Sequence, residues 1–262
     1  MKVGFIGGGN MGGALIGGLT QKCCTPSDIA LYEKDAQKAA AFKEMGINTV
    51  ESASAAEAAS EIIVFSVKPN IIDSVLSEMS GDKNKIYLSI AAGVTVAHLE
   101  EMLGADKKIV RAMPNTPAQV GCGMTVISPN KNVDDEDIKK VKMLLSAVGM
   151  VQQMDEKFMS VATALHGSSP AYVYMFIDAM ADAGVKYGLT KQQALTLAAQ
   201  AVAGSAEMVL SCGEHPEKLK DNVCSPGGTT IAAVCDLEKN GFRGIVQSAV
   251  CACVAKADEM SK

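Results

Sequence analysis

Lys2-Val3-Gly4-Phe5-Ile6-Gly7-Gly8-Gly9-Asn10-Met11-Gly12 is the stretch that decides the fold. Residues 2–6 form a short apolar run of strand type, and residues 13–19 continue as a helix of small side chains. Between them the spacing G-x-G-x-x-G falls on Gly7, Gly9 and Gly12. One glycine serves a tight turn, one the close approach of a pyrophosphate, and one the packing of helix against strand; Asn10 and Met11 complete the loop. A second apolar run at 29–32 ends in Glu33, roughly twenty residues further on, where an acid that accepts from a ribose hydroxyl belongs. Strand, glycine turn, helix, strand and acid together predict a dinucleotide-binding unit.

Further along, short apolar runs at 62–66, 86–90 and 108–111 alternate with amphipathic stretches. Asp35 is expected to cap a helix that stops at Gly46, Asn70 one that carries Ile71, Ile72, Val75, Leu76 and Met79, and Thr95 one that stops at Gly104. Acidic 134–137 ahead of Ile138, Val141, Leu144 and Leu145 start a further helix with negative charge at its favoured end. The alternation predicts an α/β fold with a Rossmann-type, doubly wound, mostly parallel sheet over residues 1–153. After Asp155 the strand signals vanish, and residues 154–262 are expected to be all helical. Thr190 with Gln193 reads as a capping box, and Pro216 as a first helical residue. Helices so rich in Ala, Met and Leu leave apolar surface for a second subunit, so this part is expected to be a dimerisation domain.

The composition narrows the function. The 262 residues are 48% hydrophobic and 20% charged, with a net charge of -5. No basic cluster stands out, which argues against nucleic acid and against an anionic membrane surface. Residues 3–19 carry Asn10 and too many glycines for a targeting helix. The apolar run 170–180 is interrupted by Asp178 and too short to cross a bilayer, so a buried helix is expected. None of the eight cysteines forms a C-x-x-C pair with a matching partner, which predicts reduced thiols and a cytoplasmic protein. The three histidines, His98, His166 and His215, lack metal-ligand spacing, and no metal site is expected.

A second motif lies in the helical part: Asn222-Val223-Cys224-Ser225-Pro226-Gly227-Gly228-Thr229-Thr230-Ile231 runs straight into an apolar helix pattern. The first amides of that helix have no intrahelical acceptor and carry partial positive charge, so a small anion such as a carboxylate would satisfy them. The plainer reading is a helix start capped by one of its hydroxyls.

Residues 5–12, Val67-Lys68-Pro69, Ala91-Ala92-Gly93-Val94, Arg111-Ala112-Met113-Pro114-Asn115-Thr116-Pro117, Ser168-Ser169-Pro170-Ala171-Tyr172 and 225–231 resemble pyrroline-5-carboxylate reductase in order and separation across nearly the whole chain. The resemblance implies hydride transfer from NADPH or NADH to the C=N bond of 1-pyrroline-5-carboxylate, giving L-proline. It places Val67, Lys68, Pro69, Ala91, Ala92 and Asn115 around the nicotinamide half of the cofactor, and Asn222 against the cofactor from the helical domain. It gives the carboxylate to Ser225 and the amides of Gly228, Thr229 and Thr230, and the ring nitrogen to the Thr230 hydroxyl. Glu156 matches a family glutamate near the substrate, although a glutamate at a helix start is usually a dipole partner. The resemblance also implies an interlocked dimer, often assembled into a larger ring. His166 and Cys224 depart from the residues that relatives commonly carry there.

On coenzyme choice, Glu33 suits a ribose hydroxyl, while neighbouring Lys34 suits a 2′-phosphate. Two other readings remain open. Related hydroxyacid dehydrogenases share the architecture but use a lysine in the first long helix of the second domain, and this chain has none there before Lys186. A non-catalytic dinucleotide sensor would have no need of residues 225–230.

Overall fold

The computed structural model describes residues 1–260. Eight strands form one sheet in the order β3-β2-β1-β4-β5-β6-β7-β8. They are β1 (Val3–Ile6), β2 (Ile29–Tyr32), β3 (Asn48–Thr49), β4 (Ile62–Phe65), β5 (Ile86–Ser89), β6 (Lys108–Met113), β7 (Gly123–Pro129) and β8 (Gly149–Gln153). β1 to β6 pair in parallel, β7 runs antiparallel to β6, and β8 is parallel to β7. The order reverses between β1 and β4, which puts a switch point directly beyond the glycine turn, where open sheets of this kind bind ligands.

Both faces of the sheet are covered, because successive side chains point to opposite sides. Val3, Phe5, Val64 and Leu88 pack with Leu15, Leu19, Val141 and Leu144 of α1 (Asn10–Lys22) and α6 (Asp135–Leu145). Ile6, Ile63, Phe65 and Tyr87 face the other way, toward α3 (Ala53–Ala58), α4 (Ile72–Leu76) and α5 (Val96–Leu103). α2 is Ala36–Glu44. Two caps lie where the sequence put them: Asp35 accepts from the amides of Gln37 and Lys38, and Thr95 from that of His98; the acidic start of α6 further holds a capping box, Asp134 with Asp137, that the sequence reading did not name.

Asn70 is not a cap. It lies inside a 3-10 turn, Pro69–Ile71, and α4 follows with no side chain capping its start. β3, β7, β8 and α3 were not expected from the pattern.

The chain divides into two compact units, Met1–Ser168 with the segment from Val254 onward, and Ser169–Cys253. The division falls after Ser168 rather than after residue 153. α7 (Met159–Ala162) belongs with the sheet because Met159 and Ala162 are buried against Val126 of β7.

The second unit contains α8 (Ser169–Lys186), α9 (Lys191–Cys212), α10 (Pro216–Val223), α11 (Thr229–Lys239) and the first part of α12 (Phe242–Met260). α8 and α9 approach closely through small residues: a Cβ on Gly184 would lie 2.9 Å from the Cβ of Ala194. Thr190 and Gln193 form the expected capping box on α9, and Pro216 stands at the first position of α10.

The run 170–180 is helical but not buried. Tyr174, Met175 and Phe176 are exposed, as are Leu197, Met208 and Leu210 of α9. α9 is also long and apolar enough to cross a membrane by length and composition, with little of it buried. Apolar periodicity marks a face that must be covered, but not whether the cover comes from the same chain.

Candidate active site

The three glycines of the opening turn hold three distinct positions. Gly7 adopts φ 101°, in the region that favours glycine. Beside Gly9 nothing lies within 4 Å of where a Cβ would stand, so the backbone there is open to a ligand. At Gly12 a Cβ would come within 2.5 Å of the Gly7 carbonyl oxygen, and only a bare Cα lets α1 pack so tightly on β1. Asn10, exposed, starts α1, while Met11 packs against the core and leaves its backbone at the loop. Ser66 fixes this turn by donating from Oγ to the Gly7 carbonyl at 2.6 Å. The open backbone, the left-handed turn and the free helix start fit the pyrophosphate of a dinucleotide.

A cleft of about 310 Å³ opens beside this turn, lined by Gly7, Gly9, Tyr32, Glu33, Lys34, Lys38, Val67 and Lys68. Glu33 reaches back: its Oε2 accepts from the Gly8 amide at 2.6 Å, and its Oε1 from the Asp35 amide at 2.9 Å. The carboxylate is thus oriented by backbone, with Lys34 and Lys38 in the same cleft. Lys38 was not singled out in the sequence because the first turn of α2 meets the cleft only through the fold.

Val67, Lys68 and Pro69 follow β4, Ala91 and Ala92 follow β5, and Asn115 follows β6, all at the carboxyl edge of the parallel strands. Asn115 is buried, and its side-chain amide is bonded at both ends. Nδ2 donates to the His166 carbonyl at 2.9 Å, and Oδ1 accepts from the Met124 amide at 2.8 Å. Both ring nitrogens of His166 lie against carbonyl oxygens, Nδ1 with Ala162 and Nε2 with Met113. His166 sits in a π-helical turn, Thr163–Gly167, and together with Asn115 it ties that turn to the end of β6.

Glu156 opens a 3-10 turn (Glu156–Phe158). Its Oε1 accepts from Arg111 Nη1 at 2.9 Å and from the Val96 amide at 2.8 Å. It therefore sits at the start of α5, a different helix from its own, and pairs with a nearly buried arginine on β6. Arg111 was not picked out by sequence alone, since nothing local signals that a distant glutamate meets it.

In the helical unit, Asn222 lies exposed on α10, and residues 225–228 form the turn into α11. Gly227 holds φ 67°. The Gly228 amide, expected to face the ligand, instead donates to the Ser225 carbonyl at 3.0 Å and closes the turn. No side chain caps α11, so the hydroxyl-capped start is not what forms. The amides of Thr229, Thr230 and Ile231 precede the first intrahelical bond, from Ala232 to the Gly228 carbonyl. Arg243 braces this region, donating to Glu217 at 2.7 Å and to Glu238 at 2.6 Å. Hydrogen bonds from Lys220 and then Arg243 hold the Glu217 carboxyl down to about 2. Among the described residues no cluster of His, Cys, Asp and Glu is arranged to hold a metal ion.

A doubly wound sheet with a dinucleotide turn at its switch point, followed by a helical unit, places the chain among nicotinamide-dependent oxidoreductases. Residues 156–260 match the family described as pyrroline-5-carboxylate reductase dimerisation, and residues 2–93 match NADP oxidoreductase coenzyme F420-dependent. The chain is 49% identical over 265 residues to pyrroline-5-carboxylate reductase of Escherichia coli (strain K12), covering 100% of this chain and 98% of that one. The solved reductase of Coxiella burnetii superposes with a TM-score of 0.94 at 35% identity, covering 100% of this chain and 98% of that one. The Plasmodium falciparum pyrroline carboxylate reductase, solved with NADP bound, superposes at 0.89 with 38% identity and the same coverage. The chain belongs to the pyrroline-5-carboxylate reductase family.

Proposed function

We propose that this chain reduces 1-pyrroline-5-carboxylate to L-proline, with the cofactor held by the sheet-bearing unit and the substrate carboxylate by the start of α11. Gly7, Gly9, Asn10, Met11 and Gly12 hold the pyrophosphate, and Glu33 holds the adenosine ribose. Val67, Lys68, Pro69, Ala91, Ala92 and Asn115 frame the nicotinamide half, and Asn222 touches the cofactor from the helical side. When bound, NADPH supplies the hydride. Lys34 and Lys38 in the cleft beside Glu33 support NADPH, and the Glu33 carboxylate leaves NADH usable.

Ser225 and the amides of Thr229 and Thr230 hold the carboxylate, with Gly228 contributing the closed turn that aims them. The Thr230 hydroxyl holds the ring nitrogen, which takes its proton from water. Glu156 positions the site through Arg111 and α5. Fixing the imine carbon in reach of the hydride removes translational and rotational freedom, a contribution of up to about 7–11 kcal/mol in favourable cases. The protein works as a dimer built by the helical unit, assembled into a ring of dimers, in the cytoplasm.

The observation that carries this reading is the absence of a side-chain cap on α11 beside a turn rich in glycine and hydroxyls. Loss of NADPH and of NADH absorbance is followed with pyrroline-5-carboxylate and, in parallel, with a linear 2-oxo acid. Oxidation with the imine alone is expected, faster with NADPH. Oxidation with the oxo acid instead would move the chain to the hydroxyacid dehydrogenases.

A further inference from the structure

α1 ends at Lys22, and the next two residues are both cysteines, Cys23 and Cys24. Their backbone is fixed: the Cys23 amide donates to the Leu19 carbonyl at 2.9 Å, and the Cys24 amide to the same oxygen at 2.8 Å. Cys23 is exposed, Cys24 is half-buried and packs against the core, and the two thiols hydrogen-bond to one another. Burial, and then the neighbouring Cys23, push the Cys24 thiol up to about 11, so it stays protonated at neutral pH and is slow to oxidise. The reduction of an imine makes no use of this pair.

A bond between the two sulfurs is disfavoured, because consecutive Cα atoms stand about 3.8 Å apart, short of the roughly 4.4–6.8 Å that a disulfide spans without strain. Both thiols are free. A metal ion would lack ligands, since among the described residues no group of three His, Cys, Asp or Glu side chains converges to hold one. Two adjacent thiols can satisfy a soft centre that needs only two sulfurs and carries its own third bond. We propose that Cys23 and Cys24 form a binding site for a trivalent organoarsenical, captured as a chelated dithiolate. With phenylarsine oxide, two S–As bonds form, the As=O bond breaks, both thiol protons leave with that oxygen as one water, and arsenic keeps its oxidation state. The exposed Cys23 reacts first, and Cys24, held beside it, closes the ring as an intramolecular step. Cys251 and Cys253 are the next nearest in sequence, but two residues apart on α12 they do not face each other.

The test follows phenylarsine oxide on the reduced chain by intact mass, in excess 2-mercaptoethanol. Wild type is expected to keep one adduct, which 2,3-dimercaptopropanol strips, because a monothiol competes for one bond at a time and a dithiol for both. Cys23→Ser and Cys24→Ser should each bind phenylarsine oxide at least about 100-fold more weakly, the gain that a second, intramolecular attachment gives over a single one. Cys251→Ser should match wild type. Cys23 is exposed, so its substitution leaves the fold standing and keeps the test decisive even where Cys24→Ser, with its packed side chain, does not fold. A wild-type chain with no adduct that survives the monothiol, or an adduct equally resistant in Cys23→Ser, would overturn the proposal, as would loss of the adduct in Cys251→Ser.

Discussion

The sheet-bearing unit and the helical unit solve the burial problem in opposite ways. In the first, strands such as β1 and β4 are wholly buried between two layers of helices, and the glycine turn rests on that rigid frame. In the second, the buried residues of α8 and α9 are three alanines, Ala181, Ala194 and Ala198, while Tyr174, Met175 and Leu210 face outward. A unit that covers its own core can fold alone. One that leaves apolar helix faces bare depends on a partner, which accords with the dimerisation domain matched over the same residues.

Breaking the first unit should have the largest effect. Gly12→Val puts a branched side chain against the Gly7 carbonyl, and overpacking there should cost about 3 kcal/mol. Thermal unfolding with and without NADPH should show a lower Tm and no stabilisation by the cofactor. In the second unit, Met175→Glu should leave the isolated chain's own packing intact, because Met175 is already 73% exposed. If α8 carries the dimer face, the substitution should weaken association by on the order of 2 kcal/mol, roughly 30-fold. Sedimentation across a dilution series measures it, and an unchanged dimer would put the face elsewhere.

A smaller effect is expected at Glu33. Glu33→Ala frees the Gly8 and Asp35 amides and removes a negative charge beside Lys34 and Lys38, so the NADPH to NADH preference should rise severalfold. An unaltered ratio would mean that the ribose is read elsewhere.

The smallest effect is expected at Glu217. Its folded-state value is depressed to about 2 by Lys220 and Arg243, so its contribution is present above the ordinary glutamate range and is lost as pH falls toward about 2. The Tm difference between wild type and Glu217→Gln should therefore shrink on acidification, by a modest amount because the group is exposed.

The same contrast explains what could be read from the sequence. The fingerprint was legible because each glycine answers a local steric demand, and the caps at Asp35, Thr95 and Thr190 because capping is a matter of neighbouring residues. β3 is two residues long, and β8 ends in Gln152 and Gln153, exposed at the sheet edge, so neither carries an apolar signal. β7 contains Thr125, Val126 and Ile127, which are good strand formers. Its turn-rich approach through Gly121 and Gly123, and an antiparallel pairing in an otherwise parallel pattern, kept it from standing out.

Asn70 failed as a cap because Pro69 starts a 3-10 turn ahead of it. Before α11, the turn running into a helix was legible, but the use of the Gly228 amide inside that turn was not. Nor was the pairing of Glu156 with Arg111, a contact made only by the fold. The run 170–180 was read as buried because its composition cannot tell a core from an interface.

The central claim is that the start of α11 holds the imine while the glycine turn holds the cofactor, and the direct test is Thr230→Ala. Turnover of pyrroline-5-carboxylate and the NADPH dissociation constant are measured on the same preparation. A fall in kcat of about 100-fold with NADPH affinity unchanged is the predicted result. Unchanged turnover would remove Thr230 from the site and contradict the account.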